Sequence, residues 1–344
     1  MITRQALFVS LAAVLLFPQP GQLRAADPPV TALAVTPGGK TILAGSQRGV
    51  RQLELPTLKP LGTWWKQLDA VTAIRFSASG KELLLAGGSP AEKGEARLYR
   101  WPSRTLLRSF DGGEDLLLDV SWAGEPAAGD DPLAGRKIIS VGMDKKLRVF
   151  DAASGKQLLV REGHSRGVTS VVQLPGRHGL VTAGLDHSLR VWSDEGRVAG
   201  ELEIVRALDN HRAPVMDLAL RPGREGILPM VLSVSEDATV RFWQPTIGRM
   251  VRFASILTRS PSWPLQCDWL PGGKYAVVVG TDGRLRVIDP ETVQVAWESA
   301  AIAGWAYCLA VIPGGRYVAV GGQAGELVLV EIPARFSVDS EEKK

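Results

Sequence analysis

The chain predicts an all-β fold, a β-propeller of seven four-stranded antiparallel blades, and three observations carry that prediction. One phrase recurs, DKKLRVFD from Asp144, DHSLRVWS from Asp186, DATVRFWQ from Asp237 and DGRLRVID from Asp282, at separations of roughly 42 to 51 residues, the period of a repeat architecture. A Pro-Gly turn stands at a fixed place ahead of most copies: TPGG at Thr36, LPGR, RPGR, LPGG and IPGG. Between the turns lie short runs rich in Val, Ile and Leu, the pattern of half-buried or buried strands.

Each unit of about 43 residues reads as one antiparallel meander. A first strand ends at the Pro-Gly turn, where Pro presets φ and Gly permits a positive one. A second strand ends in a small-residue step such as AGL or VGM, the Asp phrase forms the third, and runs such as TLLRSF or VQVAWESA form the fourth. The template places blades at 30–68, 69–113, 114–162, 163–209, 210–259, 260–303 and 304–338. Arg51 and Arg97 keep the Arg position of the third strand where the phrase has decayed, and Val328 replaces it in the last unit. Arg148, Arg190, Arg241 and Arg286 alternate with core positions and are expected along equivalent blade edges. One sheet cannot hide both apolar faces, so the units must stack, and radial closure is the usual solution. With little ahead of Val30, the outer strand of the last blade comes either from ARFSV (Ala334 to Val338) or from the N-terminus, and a ring closed without strand exchange is expected to leave a frayed first-to-last contact; residues 339–344 read as a disordered tail.

Residues 1–25 differ from the rest. Arg4, an apolar run from Ala6 to Phe17, Pro18, Pro20 and the small pair Ala25-Ala26 form the layout of a signal peptide cleaved near Ala25, with an apolar run too short to span a bilayer comfortably. The mature chain is thus expected to be periplasmic or secreted, with no stable membrane insertion. Lys plus Arg (40) barely exceeds Asp plus Glu (36) and the basic residues are scattered, so no nucleic-acid partner is implied. No nucleophile elbow, zinc-protease helix motif, phosphate loop or calcium loop occurs. Four His and two Cys offer few transition-metal ligands. No cofactor, metal or catalytic residue is expected.

Gly163-His164 with Thr182, Asp186 and Trp192, and Asn210-His211 with Ser233, Asp237 and Trp243, resemble units of the WD-repeat propellers, here as an exported bacterial member. The resemblance implies a buried chain from Asp through His to Ser or Thr and the Trp indole, which pins a loop to its sheet. A buried carboxylate, imidazole and indole are tolerable only when mutually satisfied. Phe150, Ile288 and Val330 depart from the Trp position. The same Asp, His and Ser/Thr types make a nucleophilic triad, but their repetition at one period points to scaffold. The resemblance also places the fourth-strand connections and the second turns on one rim, which would display Asp111, Glu114, Arg166, Arg212, Trp263 and Trp305, a composition suited to protein binding.

Two features have alternatives. Cys267 lies four residues before Pro271 and Cys308 five before Pro313, so they point to opposite faces of equivalent strands. In an oxidising compartment they form a disulfide between blades six and seven, or they lie in two different interfaces as buried thiols. Insertions at Ser89 to Glu95 and Gly124 to Arg136 lengthen two turns and are either tolerated surface or added specificity. The functional reading is a monomeric, non-enzymatic scaffold that presents its rim and central channel to a protein partner. The rival is a propeller enzyme or a binder of small molecules or glycans, with Asp119, Asp217 and Asp268 at the axis.

Overall fold

The computed structural model describes residues 27–65, 69–124, 133–175, 179–193, 202–223, 228–255 and 262–337. Residues 1–26, which include the expected signal peptide, the tail from residue 338 on and residues 125–132 of the Gly124 to Arg136 insertion lie outside these. The chain is a seven-bladed β-propeller of antiparallel sheets. Blade 1 comprises Ala32–Val35 (β1), Thr41–Ser46 (β2), Gly49–Glu54 (β3) and Pro60–Trp64 (β4); blade 2 Val71–Phe76 (β5), Glu82–Ser89 (β6), Lys93–Arg100 (β7) and Leu106–Gly113 (β8); blade 3 Leu117–Ala123 (β9), Lys137–Gly142 (β10), Lys146–Asp151 (β11) and Gln157–Glu162 (β12). Blade 4 comprises Val168–Gln173 (β13), Leu180–Gly184 (β14), Leu189–Ser193 (β15) and Glu203–Leu208 (β16); blade 5 Val215–Leu220 (β17), Val231–Ser235 (β18), Thr239–Gln244 (β19) and Arg249–Ser255 (β20). Blade 6 comprises Pro264–Trp269 (β21), Ala276–Gly280 (β22), Arg284–Asp289 (β23) and Gln294–Ala300 (β24), and blade 7 Ala306–Val311 (β25), Tyr317–Gly322 (β26) and Leu327–Glu331 (β27).

The first strand of each blade stands innermost beside the first strands of its neighbours, and β25 meets β1 to close the ring. Second strands such as β14, β18 and β22 are buried throughout, which explains their unbroken apolar runs, since neighbouring blades cover both faces. Fourth strands such as β12 and β24 remain largely exposed. One apolar cluster fills each of the seven seams, from Leu43, Val71 and Leu85 between blades 1 and 2 to Val30, Ile42, Cys308 and Ala319 between blades 7 and 1.

The turn chemistry of the repeated phrase is visible in all four copies. The Asp side chain accepts the N–H two residues on, at Lys146, Ser188, Thr239 and Arg284, and Lys145, His187, Ala238 and Gly283 adopt positive φ. That is an Asx turn closing a hairpin. Arg148, Arg241 and Arg286 then fold back onto Asp144, Asp237 and Asp282 at 2.6, 3.4 and 2.5 Å, while Arg190 reaches Asp209 at 3.1 Å. The small step before the turn is required where the incoming loop crosses: a Cβ on Gly280 would stand 2.4 Å from the Trp263 carbonyl oxygen.

Three expectations are corrected. The described part of ARFSV, Ala334 to Ser337, supplies no outer strand: Ile332 still bonds to Arg316, then Ala334–Phe336 form a 3-10 turn that sets Phe336 on Tyr275 at 4.9 Å, so the chain turns beneath the blade 6–7 seam. Among the described residues blade 7 therefore has three strands. The first-to-last contact is not frayed, because Val30 is fully buried, donates its N–H to Gly322 and accepts from Cys308 Sγ. The insertion at Ser89 to Glu95 extends β6 and β7 to a Ser89–Lys93 pair instead of forming a loop.

Candidate functional site

The structure brings both four-residue sets together. His164 Nδ1 lies 2.9 Å from Asp186 and Nε2 2.8 Å from Thr182 Oγ1, which also accepts the Trp192 indole N–H at 2.8 Å. In blade 5 the corresponding distances are 2.9 Å from His211 to Asp237, 2.7 Å to Ser233 and 2.8 Å from Trp243 to Ser233. Each carboxylate also accepts a loop N–H, from Ser165 and Arg212. Burial alone would raise both carboxyls, yet hydrogen bonds from the imidazoles and from Ser188 and Thr239 hold them well below the ordinary range; burial dominates at His211 and lowers its imidazole. Both rings are almost fully buried and pin loops.

Of the expected rim residues, Asp111, Glu114, Arg166 and Arg212 are exposed. Asp111 caps the Gly113 N–H at 2.9 Å. Trp263 and Trp305 are half-buried and meet edge to face at 6.1 Å across the blade 6–7 seam, and Trp305 also meets Tyr307 at 5.9 Å. The tryptophans therefore form one aromatic group at the mouth, apart from the two arginines on blades 4 and 5.

Cys267 and Cys308 are both unpaired, which corrects the disulfide expectation. Their opposite orientations send them to two interfaces, Cys267 into the blade 5–6 cluster and Cys308 into the blade 7–1 cluster. Burial pushes both thiols up.

The axial strands hold an arrangement that sequence reading only partly found. At one ring position, Asp119, Ser170, Asp217 and Gln266 each accept the N–H of the next blade's following residue: Val171 at 3.1, Leu218 at 3.3, Cys267 at 3.1 and Leu309 at 2.5 Å. One residue nearer the rim, Thr31, Thr72 and Thr169 donate to carbonyls of the next blade, at Val71, Leu117 and Val215. Seams are thus stitched twice near the axis. Arg75 donates to Asp119 at 2.9 Å, and that carboxylate, with Asp217 and Asp268 nearby, raises the guanidinium further. Asp268 lies two residues past the ring position, as the pairing of Gln266 with Val279 shows, so the three acids do not share a layer. Arg75, Ser170 and Gln266 were missed; aligning the first strands on their common bulge would have exposed the position.

At the threonine position the remaining blades carry Leu118, Met216, Leu265 and Tyr307. With Leu116, Met143 and Trp305 they line a cavity of about 310 Å³ in the channel mouth, floored by Arg75, Asp119, Asp217 and Gln266. Residues 155–193 match the family profile described as WD domain, G-beta repeat. The chain carries a WD40 repeat. That repeat spans blade 4's first three strands and one complete four-residue set. The chain is 25% identical over 185 residues to Protein ROOT INITIATION DEFECTIVE 3 of Arabidopsis thaliana, covering 51% of this chain and 42% of the relative. It is 32% identical over 159 residues to Pre-mRNA-processing factor 19 of Bos taurus, covering 46% and 29%. It is 25% identical over 239 residues to Nuclear distribution protein PAC1 of Arthroderma benhamiae, covering 64% and 50%. The chain thus spans half or less of these relatives' lengths. WD40 propellers generally bind proteins. No helix among the described residues is long and apolar enough to cross a membrane.

Proposed function

We propose that this WD-repeat propeller is an exported, non-enzymatic scaffold whose loop rim and channel mouth hold a protein partner. The observation that carries the reading is the composition of the mouth. Leu118, Met216, Leu265, Tyr307 and Trp305 stand half-exposed around one hollow, while the polar groups below are spent on seams. Both Asp119 oxygens and both Asp217 oxygens accept hydrogen bonds or bond to Ser170, which weighs against the axial enzyme or small-molecule reading. An aromatic, Met-bearing hollow within a charged rim suits an anchoring apolar side chain. The relatives' names concern root initiation, pre-mRNA processing and nuclear distribution, and such spread fits a fold whose partner is set by its loops.

The test is covalent cross-linking of the tagged protein in its native envelope fraction, read by mass spectrometry beside two variants. One changes Arg166, Arg212 and Trp263 to Ala, and the other carries Leu265→Glu in the hollow. A discrete partner lost in either variant supports the reading. Recovery of folded protein with no partner, or a partner retained by both variants, overturns it.

A further inference from the structure

The hollow in the channel mouth holds an uneven set of hydrogen-bonding groups. At its floor the acceptors are used: both oxygens of Asp119 and of Asp217 are engaged by Arg75, Ser170 or backbone N–H groups, and Gln266 Oε1 takes the Leu309 N–H. Donors are left over. Arg75 gives Nη2 to Asp119 and Nη1 to the Ile74 carbonyl oxygen, which leaves further guanidinium N–H groups unspent among the described residues, and its side chain is 39% exposed. Neither the Gln266 amide nitrogen nor the Tyr307 hydroxyl has a partner among the described residues. On the walls the balance reverses. Thr31, Thr72 and Thr169 spend their hydroxyl protons on carbonyls of the next blade, so toward the hollow each can only accept. Asp115, at the lip, takes the Ala91 and Leu116 N–H groups on Oδ1. Between lip and floor the lining is apolar, with Leu118, Met143, Met216 and Leu265.

These groups select among the tips of side chains entering from the rim. A lysine or arginine tip sets donor against donor at the floor. A carboxylate answers Arg75 but has no proton for the threonines, and it stands near the carboxyl groups of Asp115, Asp119 and Asp217. A purely apolar tip takes the Arg75 guanidinium out of water without returning a hydrogen bond, which weakens binding. A carboxamide meets both levels: a carbonyl oxygen for the donors below, an amide nitrogen with protons for the hydroxyl oxygens on the walls, and no charge. Gln266 lies one residue past the threonine position, about 3.3 Å deeper along the strand, which suits the longer glutamine stem over asparagine. We propose that the hollow receives the side-chain carboxamide of a glutamine on a partner protein, its C=O accepting from Arg75 and Gln266 and its nitrogen donating to the threonine hydroxyls. The methylenes then lie against Met143, Met216 and Leu265. This rests on the channel mouth being the partner's docking place, and it names the residue that docks.

The test titrates the folded full chain, carrying isotope-labelled methionine methyls, with hexanamide, hexanoate and hexylammonium, three probes with the same stem and different heads. Met143 and Met216 line the hollow, whereas Met230 and Met250 pack in the blade 5–6 and blade 4–5 clusters and serve as controls. Hexanamide is expected to shift the Met143 and Met216 signals selectively and to bind about tenfold or more tightly than either charged probe. Gln266→Glu keeps an acceptor for Leu309 and removes the amide donor, and Tyr307→Phe removes the hydroxyl. Each should weaken hexanamide about threefold to tenfold with thermal unfolding unchanged. Tighter binding of hexylammonium or hexanoate overturns the proposal, as do equal affinities for all three probes, unchanged hexanamide affinity in both variants, or no shift at Met143 and Met216 with any probe. Selection of hexanamide with no protein captured by cross-linking refutes the protein partner and leaves the preference of the hollow standing. A captured protein with no hexanamide selection refutes the glutamine anchor alone.

Discussion

At the scale of single residues, one position of the second strand shows when a buried hydroxyl helps and when it costs. Thr182 satisfies an imidazole and an indole at once. Val278 and Ile288 fill the equivalent Ser/Thr and Trp places of blade 6, so that blade needs no polar chain, and both are buried. Ser140 in blade 3 has kept the hydroxyl and lost the partners, because Phe150 replaces the Trp; its Oγ is buried with no hydrogen-bond partner. Leaving a buried polar group unpaired costs about 1–3 kcal/mol. Thr182→Val, which strands two such groups, should therefore lower stability by about 2–6 kcal/mol in urea denaturation, whereas Ser140→Ala should be neutral or stabilise by up to about 1 kcal/mol. A loss of stability in Ser140→Ala matching that of Thr182→Val would show that the chains do not act through hydrogen-bond satisfaction. Thiol chemistry reads the second residue-level result: both cysteines should resist a thiol reagent in the folded protein and both should react after denaturation without reductant. Fewer than two reactive thiols in denatured protein would restore the disulfide. The four-residue sets were legible through the WD-repeat resemblance, which implies the order of the chain, and through the need of a buried carboxylate and indole for partners; the cysteines were not, because alternation fixes opposite faces without fixing which seam each face meets.

At the scale of strands, the seams are joined by a hydrogen-bond chain whose protons can be counted. Ser170 Oγ lies 3.1 Å from Asp119 Oδ2 and 3.0 Å from Asp217 Oδ1, but a hydroxyl has one proton to give. Asp119 also takes Arg75 and two backbone N–H groups, so it holds the charge and receives the serine proton. Asp217 must then carry a proton of its own to bond to Ser170. Burial, reinforced by the Asp119 charge, pushes Asp217 up to about 7, in agreement with that count. A carboxyl raised in the folded state favours folding at low pH, and its contribution declines as pH rises from the unfolded value near 4 to about 7. Asp186 and Asp237, held low, act in the opposite sense: their stabilisation is complete above about pH 4 and is lost on further acidification. Asp217→Asn keeps an acceptor for Cys267 and offers an N–H to Ser170, so relative to wild type it should gain stability between pH 5 and pH 8, on the order of a few kcal/mol at most. A difference between variant and wild type that stays flat over that range would refute the proton count. The hairpins themselves were legible, since Asx turns and Pro-Gly turns are local chemistry. The stitching was not, because it joins residues some 50 positions apart and shows only when the first strands are aligned on the bulge they share, which sets Gln266, not Asp268, level with Asp217.

At the scale of the whole molecule, closure of the ring differs from the other seams in one physical respect. Among the described residues, every other neighbouring pair of blades is joined by the chain, whereas blades 7 and 1 are joined by contacts, among them the Val30 backbone bonds to Gly322 and Cys308, the Arg51 bond to Gly325 at 2.6 Å, and the cluster around Val30, Leu33, Ile42 and Ala319. Sequence periodicity could number the blades, but it could not show how tightly the last met the first, because the residues that close the seam lie outside the repeated phrase. Losing apolar volume there should have a different signature from the same loss elsewhere. Val30→Ala and Val168→Ala, the latter in the blade 3–4 cluster, remove equal volume from fully or almost fully buried sites and should each cost about 2 kcal/mol. In a chain-linked seam that cost falls on global unfolding, since the blades cannot separate far. At the open seam, separation is a lower-energy event in its own right, as sub-global opening is in repeat arrays. Val30→Ala should therefore speed amide exchange in β1 and β25 by about tenfold or more while β13 and β17 stay protected, and Val168→Ala should lower protection evenly around the ring. Even loss of protection in both variants would mean that the first-to-last seam opens only with the whole fold, and that contacts alone make it as secure as the seams that the chain crosses.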